Sequence, residues 1–118
     1  MPPTLPPHLP VWDRRAAERA AERARHLAKV ESALPSVGEI LRAHHVRDAY
    51  LFGSTVSGHA RSRPDVDLAV AGCPPERFYR LASELERAFG LSLDLVDLDA
   101  APEALVDAIR RDGRRLLP

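Results

Sequence analysis

Asp65 and Asp67 stand either side of Val66 at the head of an apolar run, 68–71. In an extended strand alternate side chains share a face, so both carboxylates point the same way from one rigid element. Two anionic groups aimed at one spot repel each other unless a cation lies between them. An all-oxygen donor set of this kind suits a hard divalent ion such as Mg²⁺. Separated from Asp65 by ten residues, Gly53 and Ser54 close an earlier apolar run, 46–52. A strand that stops on Gly-Ser and opens a short helical turn points backbone N–H groups outward, as a phosphate site needs. Metal-holding carboxylates facing a phosphate cradle are the parts of a phosphoryl- or nucleotidyl-transfer site.

A further apolar strand, 91–98, carries Asp94 and Asp97. A carboxylate inside such a strand is costly without a partner or a metal. The two are three residues apart and so point to opposite faces, and only one of them can join Asp65 and Asp67.

The elements that must position these groups follow from periodicity and breakers. Five prolines in residues 1–10 remove backbone donors and predict a disordered tail. Residues 12–34 are rich in helix formers, with Ala20, Ala24, Leu27, Val30 and Leu34 at the spacing of one buried face. Between Arg14 and Lys29 six basic residues face two acidic ones, which reads first as a solvated helix face. Pro35 is expected to interrupt and open a second short helix, ending near His44-His45. Adjacent histidines diverge on a helix and no zinc pattern surrounds them, so they read as helix-end or surface residues. Residues 55–60 suggest one helical turn, and 61–64 a polar loop. Pro74-Pro75 starts a helix to about residue 89, with Phe78, Leu81, Leu85 and Ala88 inward and Gly90 as its cap. Cys73 reads as a plain loop or edge residue. A last helix is expected over 101–111, with Leu105, Ala108 and Ile109 inward and Asp99 as N-cap, followed by Leu116-Leu117 packing back. The sum is an α/β (α+β) fold. Its small mixed sheet, strands 46–52, 65–71 and 91–98, has helices packed on one face and the chemistry on the open side.

Gly53-Ser54, ten residues, then Asp65-Val66-Asp67 resembles the signature of the minimal nucleotidyltransferases of the DNA polymerase β-like superfamily. The resemblance extends from about residue 35 to the end, through the LFGS lead-in, the DVDLAV strand, the LDLVDL strand, an Ala-Pro helix and the RRDGRRLL ending. It implies three domains of organisation: the tail 1–10, a helical extension 11–34, and a nucleotidyltransferase domain 35–118. It also implies Asp94 as the third acidic position, completing the metal site or serving as base for an attacking hydroxyl. Asp65 and Asp67 would then hold Mg²⁺ on ATP, and Gly53 and Ser54 would grip its phosphates. Relatives carry arginines just after Gly-Ser, where this chain has Thr55-Val56-Ser57, which leaves Arg61 or Arg63 as substitutes. The resemblance implies an antitoxin partnered with a HEPN-domain toxin encoded by the adjacent gene, and the implied reaction is AMPylation, the transfer of AMP from ATP to a tyrosine of that toxin. A binding module that docks without catalysis and a small-molecule, aminoglycoside-type nucleotidyltransferase are the alternatives.

The bulk numbers bound these readings. At 118 residues with zero formal net charge, one domain is expected and whole-molecule electrostatics do not favour a nucleic-acid partner. A single cysteine forms no internal disulfide, and no stretch reaches the length of a membrane span. The opening residues lack the pattern of a secretory signal, so a cytoplasmic protein is the expectation, as part of a homo- or hetero-oligomer that supplies the acceptor surface.

Overall fold

The computed structural model describes residues 11–53 and 65–117. In chain order it has helix α1 (Val11–Ala43), strands β1 (Asp48–Leu51) and β2 (Val66–Ala71), and a 3₁₀ turn (Pro75–Arg77) that runs into helix α2 (Phe78–Phe89). Strand β3 (Leu93–Asp97), helix α3 (Glu103–Asp112) and the two-residue strand β4 (Arg114–Arg115) follow. The sheet order is β3-β2-β1-β4. β1 is antiparallel to both β2 and β4, and β2 is parallel to β3. This is the expected mixed sheet with a fourth strand added. The tail 1–10, the 55–60 turn and the loop carrying Arg61 and Arg63 lie outside the described residues.

Alternation along the strands builds two cores. Ala49 and Leu51, then Val66, Leu68 and Val70, with Leu93 and Leu95 beside them, pack against α1 and α2. On the other face Tyr50, Ala69, Ala71 and Leu98 meet Ile109 and Val106 of α3. All six residues of β2 are buried, because it has neighbours on both edges and a helix over each face. The longer helices thus share one side of the sheet, while α3 covers part of the side expected to be open. In α3 the inward pair is Val106 and Ile109, and Leu105 is 40% exposed, against the expected inward set. The helix begins two residues later than predicted, with Pro102 rather than Asp99 at its N-cap.

In α2, Leu81, Leu85 and Phe89 recur every four residues and are buried. Gly90 ends the helix in the left-handed region, φ 65°, and donates to Glu86 O at 2.9 Å. Lys29 Nζ donates to the Gly90 carbonyl at 3.0 Å.

The break predicted at Pro35 does not occur: α1 runs through it for 33 residues. The reason is phase. Val30, Ala33, Val37 and Leu41 are all buried and stay in register across Pro35, so one continuous stripe docks on α2 and the sheet. Pro35 itself is exposed, as is Glu31, whose carbonyl it leaves without its usual intrahelical donor. Upstream, Ala20, Ala24 and Leu27 are exposed rather than buried: they lie to one side of the line that Val30, Ala33, Val37 and Leu41 draw along the helix. An interior proline costs about 3 kcal/mol relative to alanine, and its stiffening of the unfolded chain returns up to about 1. Pro35→Ala is therefore expected to stabilise the fold by about 2 kcal/mol, read as a higher denaturant midpoint at unchanged m-value. A lower midpoint would show that the helix needs its proline.

At its C-terminus α1 closes in a Schellman motif with histidine where glycine is usual. His45 has φ 60°, its N–H donates to Arg42 O at 3.0 Å, and Val46 N–H donates to Leu41 O at 3.0 Å. His44, just before it, is buried and bonded through Nε2 to Glu84 of α2. Both histidines hold the helix end, as expected.

Asp48, at the start of β1, is a buried carboxylate that the sequence reading passed over. Arg110 Nη1 donates to it at 3.0 Å from α3 and Arg115 Nε at 2.9 Å from β4. Arg110 also lies over the Tyr50 ring, 5.7 Å from its centroid. Burial alone pushes the Asp48 carboxyl up, but hydrogen bonding and charge from Arg115, with help from Tyr50 and Arg110, hold it net below its ordinary value. A carboxylate with a lowered folded pKa adds stability that is complete above the unfolded value of about 3.9 and is lost as pH falls through the folded one. Asp48→Asn should remove about 1–3 kcal/mol near neutrality, discounted for water around two half-exposed guanidinium groups, and flatten the acid-side fall in stability. Urea midpoints from about pH 2 to pH 7 check both; an unchanged acid slope in the variant contradicts this assignment.

Candidate active site

Register assembles the predicted carboxylates. β2 and β3 run parallel with Asp67 paired to Asp94, so those side chains leave adjacent strands on the same face. Asp65 lies one residue before β2 and, by alternation, on that face too. From the other side, β1 pairs Leu51 with Leu68, and Phe52 N–H donates to Asp67 O at 3.1 Å. Gly53 follows at once and turns the chain away with φ 66°, a left-handed conformation that suits glycine. Gly53, Asp65, Asp67 and Asp94 therefore stand together at one end of the sheet. This is the half of the face that α3 leaves clear. Ser54 lies outside the described residues.

The three carboxylates are graded in burial. Asp67 is 3% exposed, Asp65 half-buried and Asp94 exposed. The inner group is fixed by the sheet while the outer one is open to an incoming reactant. The donor chemistry, carboxylate oxygens only, fits a hard divalent cation. Among the described residues, no three His, Cys, Asp or Glu side chains are already arranged around a common point that would hold a metal ion. Asp65, Asp67 and Asp94 share a face and an end of the sheet, and an ion would have to draw their side chains inward.

Asp97 lies on the face opposite Asp94, at the far end of β3. It accepts the Asp99 N–H at 2.9 Å, which fits its expected strand-end role. Asp99, expected to cap α3, instead accepts the Gly72 N–H at 2.8 Å and an Arg47 Nη2 contact at 3.4 Å, tying the loop after β2 to the end of β3. Cys73 is buried in the main core and its thiol is pushed up, first by burial and then by nearby Asp97, so it stays protonated and unreactive. Among the described residues no helix is long and apolar enough to cross a membrane.

Comparison with known proteins bears on this arrangement. A family model described as polymerase beta, nucleotidyltransferase, matches residues 36–118. No curated protein matches the chain. Among solved structures, one assigned as a minimal nucleotidyltransferase is 26% identical with a TM-score of 0.66, covering 75% of this chain and 93% of that one. A toxin–antitoxin structure with AMP-PNP is 28% identical with a TM-score of 0.62, covering 71% and 72%. A complex of the tri-AMPylated Shewanella oneidensis HEPN toxin with MNT antitoxin is 26% identical with a TM-score of 0.58, covering 74% of this chain and 71% of that one.

Proposed function

The chain belongs to the polymerase β nucleotidyltransferase family, and from that premise we propose that it transfers AMP from ATP to a protein hydroxyl, a tyrosine of a HEPN toxin, and thereby acts as the antitoxin. The observation that carries this is the pairing of Asp67 with Asp94 across β2 and β3, with Asp65 beside them and the Gly53 turn adjoining. Likeness to structures holding AMP-PNP and an AMPylated HEPN toxin supports the choice of nucleotide and acceptor.

The donor set fits Mg²⁺, which when bound would neutralise the triphosphate and polarise its α-phosphorus. Asp65 and Asp67 would hold it, and Asp94 would either complete the set or take the acceptor proton. In this reading the backbone N–H groups after the left-handed turn at Gly53, with Ser54, would grip the β and γ phosphates. An acceptor hydroxyl forms a bond to the α-phosphorus, the bond to the bridging oxygen breaks, and pyrophosphate leaves. Asp94 would take the proton, a role its exposure supports. Residues 35–118 form the catalytic unit in this reading and 1–34 an addition to it.

A second reading, a module that neutralises its partner by docking alone, draws on the side chains not being gathered for a metal among the described residues. Incubation with labelled ATP, Mg²⁺ and the adjacent-gene product, beside an Asp65→Ala/Asp67→Ala control, separates the two. Label on the partner only with the unmodified chain supports transfer. A stable, unlabelled complex supports docking alone.

A further inference from the structure

Among the described residues, residues 11–28 of α1 belong to neither core and make no side-chain hydrogen bond or ion pair with another element, and the proposed chemistry leaves them unused. At 1.5 Å per residue the whole helix is about 50 Å long, close to the 55 Å longest extent of the molecule. The end of α2 is level with Lys29, whose ammonium meets the capping residue Gly90. At the same level Glu31 pairs with Arg114, which lies beside Leu51 in the sheet. Val66 N–H donates to Ser92 O just past Gly90. Leu51, Val66 and Gly90 all mark the end of the sheet where Gly53 and the carboxylates stand. Residues 11–28 therefore project past the candidate active site, by about 27 Å.

The face of this arm continues the buried stripe of α1. Stepping back from Val30 by four, three, four and four residues reaches His26, Arg23, Arg19 and Arg15. Where α2 covers the stripe it is apolar, and where α2 stops it turns basic. Among the described residues no recorded ion pair engages Arg15, Arg19 or Arg23, and His26 Nδ1 is buried without a hydrogen-bond partner. Residues 11–29 carry six basic and three acidic side chains, net +3, so the rest of this neutral chain carries −3. The family match starts only at residue 36, so the arm lies outside it.

We infer that the arm is the acceptor-docking element: it binds an acidic helix of the acceptor protein, set end to end with α2 along the basic face. This rests on the proposed function, for which it supplies the missing acceptor surface. A protein is favoured over nucleic acid because Asp13, Glu18 and Glu22 are interleaved with the arginines and Leu27 is exposed beside them. Such a mixed, part-apolar surface suits carboxylates flanking apolar side chains better than a run of phosphates.

The test measures binding of the full chain to the purified adjacent-gene product by titration calorimetry, at about 50 and about 300 mM salt. Arg15→Gln/Arg19→Gln/Arg23→Gln is expected to weaken binding at low salt at least about tenfold and to lose most of the salt dependence. Arg77→Gln/Arg80→Gln/Arg87→Gln, which removes the same charge from the α2 region, should bind as the unmodified chain does. Circular dichroism verifies the helix, and Arg19→Glu alone should act in the same direction if the triple variant loses structure. Equal binding by the arm variants overturns the inference and leaves the proposed function standing. Absence of any complex with the unmodified chain overturns both. Arm-dependent capture of a single-stranded RNA instead of the protein overturns it in favour of a nucleic-acid partner.

Discussion

Asp67→Asn should abolish nucleotidyl transfer, by a factor of about 10³ or more, while leaving the fold intact. The substitution keeps the shape of the side chain and removes the charge of the most buried of the three carboxylates. A group that orients a metal-bound triphosphate acts on charge developing in the transition state, and losing one such contact typically costs about 3–4 kcal/mol. Asp94→Asn should cost less if Asp94 serves mainly as proton acceptor, about 10²-fold, and should alter the pH profile of the reaction rather than nucleotide affinity. Single-turnover transfer to the adjacent-gene product, with thermal unfolding run alongside, separates loss of chemistry from loss of structure. Activity within tenfold of the unmodified chain for Asp67→Asn would remove the carboxylate pair from the mechanism.

The largest effect on stability is expected from one methyl group. A Cβ at Gly113 would lie 2.5 Å from the Ile109 carbonyl oxygen and 2.9 Å from that of Leu51, both backbone atoms with little room to yield. Its φ of −80° is ordinary, so the constraint is crowding and not conformation. Here the chain leaves α3 and drops directly into β4, and Gly113 N–H also donates to Ile109 O at 2.7 Å. Adding the methyl must move β4 away from β1, loosening the Leu116 N–H to Ala49 O bond and the buried Leu117. Gly113→Ala should cost about 2–4 kcal/mol by denaturant unfolding. A variant as stable as the parent would mean that β4 is not a required part of the sheet.

What could be read from the sequence was whatever local periodicity and spacing control. Asp65 and Asp67 share a face because strands alternate, and Gly90 ends α2 because the helix needs a left-handed residue there. What could not be read depends on where distant elements stop. The continuation of α1 through Pro35 follows from the phase of Val30, Val37 and Leu41 against a helix almost fifty residues away, which outweighs a local breaker. Ala20, Ala24 and Leu27 had a helical spacing among themselves but fall to one side of the buried stripe once Val30, Val37 and Leu41 set its phase. Asp48 was recognisable as an acidic residue in an apolar strand, but its arginine partners lie more than sixty residues on. β4 is two arginines with no strand signature, and only the edge of β1 makes them one. Of the candidate site, the choice of Asp94 rested on resemblance, and the parallel register places it beside Asp67.

That short strand has a consequence for solubility as distinct from stability. β1 is Asp-Ala-Tyr-Leu, buried at all four positions, and one of its edges is covered only by β4. An apolar strand with an open edge is a template for pairing with another chain. Arg114 and Arg115 pair with Leu51 and Tyr50 along that edge, and their guanidinium groups, held by Glu31 and Asp48, place charge beside it. While β4 is attached, the sheet ends in charge. When it frays, or before it forms on a growing chain, the exposed edge is hydrophobic and able to recruit its own kind.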